Sequence, residues 1–371
     1  MGPMFSKHNH DSGLTVCPNG DLLAIWYTCE EEPGTELAIV SSRLRRGATE
    51  WEPAAMFWDM PDRNDHGPAI WWDGDRTLYH FNGLKELPGS IVRTSRDNGH
   101  TWSAPRVCSA HTQANEANLR TRDGRIVATL DGPHQTTVLE ASADGGASWQ
   151  SLSQIKGKPV LAPGGSGPAI AGIHAGVVEL KDGRLLALGR IDLTEVQDVF
   201  SRKTPMSLSA DGGRTWNYSV TPFLAISSSQ RLTLKRLREG PILLCSYTEE
   251  RVKKDDFGKV IGGKPLNERI GVKFTRGDGT EFTGHGLFAA LSFDEGQTWP
   301  GRRLITPGGE KRLLSSTDGG KFTLSDTEAE PSGYLTMAQG SDGTIYLNSS
   351  RNHYSFNLAW LTAESGSPAS R

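Results

Sequence analysis

A tight Asp-Gly or Asn-Gly type turn between two apolar runs recurs six times in this chain, and that recurrence restricts the fold more than any other feature. The copies are Cys17-Pro-Asn-Gly-Asp-Leu-Leu-Ala-Ile-Trp26, Trp72-Asp-Gly-Asp-Arg-Thr-Leu-Tyr-His-Phe81 and Thr121-Arg-Asp-Gly-Arg-Ile-Val-Ala-Thr-Leu130. The others are Leu180-Lys-Asp-Gly-Arg-Leu-Leu-Ala-Leu-Gly189, Leu237-Arg-Glu-Gly-Pro-Ile-Leu-Leu-Cys-Ser246 and Gly340-Ser-Asp-Gly-Thr-Ile-Tyr-Leu-Asn-Ser349. Glycine supplies the positive φ that a tight hairpin demands, and the apolar flanks make each copy a strand pair. A four-stranded blade needs about 40 to 50 residues, so hairpins roughly 50 residues apart, with one longer gap, predict an all-β, six-bladed β-propeller with four antiparallel strands per blade.

A second repeat interlocks with the first. Ser95-Arg-Asp-Asn-Gly-His-Thr-Trp102, Ser142-Ala-Asp-Gly-Gly-Ala-Ser-Trp149, Ser209-Ala-Asp-Gly-Gly-Arg-Thr-Trp216 and Ser292-Phe-Asp-Glu-Gly-Gln-Thr-Trp299 all read Ser-x-Asp-x-Gly-x-x-Trp, and a degenerate copy spans 41–51. The chemistry is that of a structural turn: the carboxylate accepts from nearby backbone N–H groups, and the indole fills the space between blades. This is the Asp-box, or BNR, repeat, and through it the chain resembles the sialidase (neuraminidase) superfamily of propellers over about 11–361. The resemblance implies that the boxes lie on the face away from the active site.

A propeller of 371 residues is expected to be one unit, because each blade packs only on its neighbours. The expected limits are 1–362 for the propeller, with an insertion near 250–285 on the site face and a disordered tail over 363–371. The last blade shows three strand-like runs, so the segment before His10 is expected to pair into it and close the ring. A net charge of −3 gives no electrostatic case for nucleic acid, and no apolar run approaches the roughly 20 residues needed to span a bilayer. The N-terminal residues lack a signal-peptide core, which leaves a cytoplasmic protein or an already processed secreted or periplasmic one. Cys17, Cys29, Cys108 and Cys245 are too scattered for a disulfide framework or a zinc site, and no cofactor or metal is implied.

Counting along the blades assigns the function-bearing positions. The residue some eight to ten positions before each turn glycine opens the inner strand at the opposite mouth of the axis, about 25–30 Å away at ~3.3 Å per residue. That gives His10 with Asp11, His66, Glu116, His174, Arg231 and Tyr334, where ordinary strand starts are mostly aliphatic. The returning strands end on the same face at Tyr27, Asn82, His134, Arg190, Glu249 and Arg351, and the loop after the first hairpin adds Glu30, Glu31, Glu32 and Glu36. Such a ring predicts a convergent polar pocket.

The resemblance gives several of these positions roles. The sialidase nucleophile is a tyrosine opening the last blade, and Ser332-Gly-Tyr-Leu-Thr-Met-Ala-Gln-Gly-Ser-Asp-Gly343 matches that context at Tyr334. Its activating glutamate precedes a Val-Val-Glu-Leu-x-Asp-Gly-Arg segment, and here His174 occupies that place; Arg190 matches the second arginine of the carboxylate-binding triad. His10-Asp-Ser stands where the first arginine belongs and Gly284-His285-Gly286 where the third does, which leaves Arg231 and Arg351 as substitutes. The expected catalytic residues are therefore Tyr334, His174, His66 and an acid among Glu30 to Glu36, with Glu32 representing that loop. Arg190, Arg351, Arg231, His10, Asp11 and Glu116 would bind substrate. Three functions remain open: an exo-acting glycoside hydrolase on a terminal acidic sugar, a uronate-specific lyase using a histidine base and an arginine, and a non-catalytic glycan-binding propeller. The expected partner in each is a glycan or acidic oligosaccharide.

Overall fold

The computed structural model describes residues 6–85, 89–192, 199–251, 253–254, 260–262, 270–315 and 321–363. Six sheets surround a common axis. Blade one is His8–Val16, Leu22–Cys29, Ala38–Leu44 and Ala55–Trp58, and blade two is Ala69–Trp72, Leu78–Gly83, Ser90–Ser95 and Arg106–Ser109. Blade three is Leu119–Arg120, Ile126–Gly132, Thr136–Ser142 and Gln150–Ser151, with Ile170–Ala171 also pairing with its third strand. Blade four is Ile173–Glu179, Leu185–Arg190, Lys203–Ser209 and Trp216–Leu224, with Ser166–Gly167 on its outer edge. Thr233–Arg236, Ile242–Tyr247, Leu287–Ser292 and Gly301–Leu304 form blade five; Thr336–Gln339, Ile345–Asn348 and His353–Phe356 form blade six. The turn glycines Gly20, Gly74, Gly124, Gly183, Gly240 and Gly343 all have positive φ, as the hairpin chemistry requires.

The ring closes differently from the expectation. Among the described residues blade six has three strands, and the segment before His10 begins the inner strand of blade one, where His8 pairs with Cys29. That strand packs directly against the inner strands of blades two and six, so apolar contact between blades joins the ends of the ring. After blade six, Asn357 caps the short helix Leu358–Thr362 by accepting from Trp360 N. Trp360 then lies under Arg303 of blade five, 4.1 Å from guanidinium carbon to ring centroid. Of the insertion, the structure shows the hairpin Val272–Thr275 with Glu281–Gly284. Residues 252, 255–259 and 263–269 of the insertion, like 364–371 of the tail, lie outside the described residues.

The Asp boxes bind each blade to the one before it. In the third full box Ser209 Oγ donates to Asp211 Oδ1 (2.8 Å) and accepts from Gly213 N (2.9 Å). Asp211 then accepts from Thr215 N (2.9 Å) and Thr215 Oγ1 (2.6 Å), while Trp216 Nε1 donates to Gly213 O (3.2 Å). The box glycine is there for contact as well as for φ. A Cβ on Gly213 would fall 2.8 Å from Leu139 of blade three, and one on Gly296 2.5 Å from Leu186 of blade four. The box tryptophans Trp216 and Trp299 are buried beside these contacts.

Candidate active site

Two matching β-bulges build the mouth of the axis. Asp11 and His174 each stand nine positions before their turn glycine. The register slips between His10 and Gly13 in blade one and between Ile173 and Gly176 in blade four. Asp11 and His174 consequently take left-handed backbone, with φ of 53° and 51°, and both are buried. Bulges re-aim side chains at the rims of sheets, and non-glycine residues in this conformation mark sites that the surroundings over-determine. A third device is the parallel pairing of Gln230–Arg231 with Gly333–Tyr334, which sets Arg231 directly beside Tyr334 although 103 positions separate them in sequence.

Tyr334 is the hub. Its hydroxyl lies 3.0 Å from Arg190 Nη1, which donates to it, and 3.3 Å from His174 Nε2. Around the ring stand His10, centroid to centroid 4.1 Å, and the guanidinium carbons of Arg231 at 5.0 Å and Arg190 at 5.5 Å from its centroid. His174 Nδ1 faces two acceptors, Asn115 Oδ1 and Asp131 Oδ2, both at 3.1 Å. A ring nitrogen between two acceptor oxygens carries the proton, so Nε2 presents its lone pair to the Tyr334 hydroxyl. Burial, reinforced by Arg190 and Arg231, holds His174 well below the usual imidazole range, so it is neutral at neutral pH. Burial raises the Tyr334 phenol, and Arg190 opposes that rise by favouring the phenolate. The constellation is a phenol with a base on one side and a cation on the other, inside protein.

The remaining predicted residues fall into three groups. Asp11 and Arg231 form a buried ion pair, and Arg231 also donates to Ser12 O (2.7 Å) and Leu335 O (3.2 Å). Arg231 is therefore neutralised from within the protein, whereas a substrate arginine was expected. Arg190 likewise pairs with Asp192, Nε to Oδ1 3.0 Å, but keeps Nη1 on Tyr334. At the rim, Tyr27 Oη donates to Glu32 Oε1 (2.7 Å), His8 Nε2 lies 3.0 Å from the same oxygen, and the His66 ring stands 5.2 Å from that of Tyr27. The hydrogen bond from His8, joined by that from Tyr27, holds Glu32 far below the ordinary carboxyl range. This changes its expected role, because a carboxylate kept ionised accepts protons poorly and has none to donate at neutral pH. Arg351 donates to Ser332 O and Oγ (both 3.2 Å), just ahead of Tyr334.

Glu116 lies deeper than the ring. Its Oε2 accepts from Thr336 Oγ1 (3.1 Å) and its Oε1 from Ile70 N (3.3 Å). A Cβ on Gly13 would come within 2.6 Å of that Oε1, so only glycine there leaves room for the carboxyl. Burial pushes Glu116 up to about 8, against the opposing pull of Arg231. Burial also lowers His66, and takes His10 down to about 3.

Counting back from the turns missed Asn115 and Asp131. The signal for Asp131 was present: it stands seven positions after Gly124, as Arg190 stands seven after Gly183. The residue expected there, His134, is exposed in the turn beyond the strand. A cleft of about 330 Å³ on the opposite, Asp-box face is lined by Thr121, Arg122, Glu179 and Lys181, among others. Its polar groups are occupied by the protein itself, Arg122 donating to Leu180 O (3.0 Å) and to Glu179 Oε2 through its backbone N (2.9 Å), and Thr121 Oγ1 to Asp123 Oδ1 within the turn (2.5 Å). Among the described residues no three His, Cys, Asp or Glu side chains are grouped to hold a metal ion.

Residues 20–347 match the family model described as BNR repeat-like domain. The chain belongs to that family. A sialidase of Micromonospora viridifaciens is 23% identical over 394 residues, covering 94% of this chain and 51% of its own, so the chain spans about half the length of that relative. Among solved structures, the Ruminococcus gnavus intramolecular trans-sialidase with oseltamivir carboxylate superposes with a TM-score of 0.60 at 11% identity, covering 96% of each chain. The Hadza microbial sialidase Hz136 gives 0.57 at 16% identity, over 95% of this chain and 66% of that one. At these identities the likeness is one of fold, and the fold is a sialidase-like BNR propeller.

Proposed function

We propose that this protein is a glycoside hydrolase that removes a terminal acidic sugar from a glycan, with Tyr334 as nucleophile and His174 as its base. The observation that carries the reading is the Tyr334 hydroxyl held between Arg190 Nη1 (3.0 Å) and His174 Nε2 (3.3 Å). That is the geometry of an activated nucleophile: base within reach, base oriented by a third group. Tyr334 Oη attacks the anomeric carbon as the bond to the leaving oxygen breaks, and the phenolic proton passes to His174 Nε2. The leaving oxygen takes a proton from His8 at the rim, whose Nε2 lies 3.0 Å from the Glu32 carboxylate. Water then attacks the anomeric carbon and breaks the glycosyl–tyrosine bond, its proton passing back to His8 while His174 returns the phenolic proton to Tyr334 Oη. Arg190 stabilises negative charge on the phenol oxygen.

A second reading is favoured by one observation. His8 Nε2 (3.0 Å) and Tyr27 Oη (2.7 Å) converge on one oxygen of Glu32 and favour its ionised form, and a lyase acting on a uronic acid needs no separate carboxylic acid. There His174 removes the proton beside the carboxylate, Arg190 steadies the resulting anion, and Tyr334 protonates the leaving oxygen. Incubation with 4-nitrophenyl sialoside, 4-nitrophenyl glucuronide and acidic oligosaccharides separates the two. Nitrophenol or reducing ends without new ultraviolet absorbance support the hydrolase; an unsaturated product selects the lyase. Turnover of none of them, with binding retained, removes both.

A further inference from the structure

We infer that Asp131 is the positioning residue of this site: its carboxylate straddles the backbone and ring of His174 and delivers the Nε2 lone pair to Tyr334. The inference rests on the proposed use of His174 as base. Asp131 Oδ1 accepts from His174 backbone N (2.8 Å), while Oδ2 faces His174 Nδ1 (3.1 Å). One carboxylate thus holds both the left-handed backbone of the bulge and the ring that it aims. Asn115 supports the carboxylate by donating Nδ2 to Oδ1 (2.9 Å), and its own Oδ1 lies beside the same ring nitrogen. The result is a chain of groups across three blades: Arg190 to the Tyr334 hydroxyl, that hydroxyl to His174 Nε2, and His174 Nδ1–H to Asp131. A third group that fixes a histidine tautomer and stabilises the imidazolium formed during proton transfer is the logic of a nucleophile–base–carboxylate triad. Here it is assembled on a propeller with a phenol as first member.

The placement predicts a pH signature. Burial, the largest influence, pushes Asp131 up to about 6. The groups that face this pair are Asn115 from its own blade, Arg190 from blade four, Asp11 and His10 from blade one, His66 ahead of blade two, Arg231 from blade five and Tyr334 from blade six. The competent form has Asp131 ionised and His174 neutral with the proton on Nδ1. One added proton on the pair ends its function, so turnover should fall as pH drops through about 6.

The test compares the full-length protein with Asp131→Asn and with Asn115→Ala. Histidine-selective ¹⁵N NMR, with His174 assigned by its loss in His174→Gln, reads the tautomer without any substrate. The wild type should show a single Nδ1–H tautomer; Asp131→Asn should shift it toward Nε2–H, because an amide NH₂ placed toward Nδ1 turns that nitrogen into an acceptor. With 4-nitrophenyl sialoside or glucuronide, whichever is turned over, kcat should fall on the order of 10³-fold with KM changed by less than about threefold, and the limb near pH 6 should vanish. Asn115→Ala should keep the tautomer and lose on the order of tenfold in kcat. A folded Asp131→Asn protein that keeps the Nδ1–H tautomer would overturn the inference and leave the proposed function standing. The tautomer shift together with a wild type inert on both glycosides would do the reverse.

Discussion

The two faces of this propeller use the same residue type to opposite ends. On the Asp-box face the carboxylates of Asp97, Asp144, Asp211 and Asp294 are all depressed. Asp144 and Asp211 come down to about 2 where side-chain and backbone donors crowd them. At the mouth and just below it, burial pushes Asp131 to about 6 and Glu116 to about 8 with fewer compensating donors. A carboxylate satisfied by its own turn stabilises the turn and reacts with nothing. A buried carboxyl with incomplete compensation costs stability, and such groups gather where chemistry is done. The contrast separates the structural repeat from the candidate active site without reference to any relative.

The largest effect that sharpens the contrast is at Tyr334. Tyr334→Phe and His174→Ala should each lower kcat on the true glycoside on the order of 10³-fold, with little change in thermal midpoint. Either variant retaining full activity would dissolve the distinction between the faces. On the other face, Trp216→Ala removes a buried indole and should cost about 3 to 5 kcal/mol of stability in denaturant unfolding, while the protein still folded keeps its kcat. A loss of kcat per folded molecule there would show that the boxes reach the site.

The pH dependence should also split. Carboxylates depressed in the folded state add stability that is present above about pH 4 and lost as pH falls toward about 2, so the boxes should weaken in acid. Glu116 has the opposite sign: with its folded value raised to about 8, the folded state binds the proton more tightly, and stability falls as pH rises from about 4 through 8. Glu116→Gln keeps an acceptor for Thr336 and removes the charge, so it should raise stability at pH 9 relative to wild type by about 1 to 3 kcal/mol and do little at pH 4. Equal effects at both pH values would contradict the buried-charge account. The smallest expected change is Arg190→Lys, which keeps the charge but loses the fork that serves both Asp192 and Tyr334; kcat/KM should fall on the order of tenfold.

Much of this was legible in the sequence, because turns and boxes are local. The hairpin glycines and the Ser-x-Asp-x-Gly-x-x-Trp boxes recur at fixed offsets, and counting back from them reached His10, Asp11, His66, His174, Arg231 and Tyr334. What the count could not supply is partnership across blades. Arg231 meets Asp11 and Asp131 meets His174 only because bulges and neighbouring inner strands turn them together. Glu116 sits below the ring because glycine at position 13 leaves room for it, which depends on how closely inner strands approach. Glu32 reads as an acid in sequence and is an ionised acceptor in the fold, since His8 and Tyr27 both point at one oxygen.

Whether Tyr334 is the reacting group is decided by trapping. The protein is incubated with an activated fluorinated glycoside of sialic or glucuronic acid, digested, and its peptides are weighed by mass spectrometry. A single glycosyl adduct is expected on the peptide containing Tyr334, absent from Tyr334→Phe and slowed in His174→Ala. Turnover of the parent glycoside with no adduct on Tyr334, and undiminished in Tyr334→Phe, would contradict it.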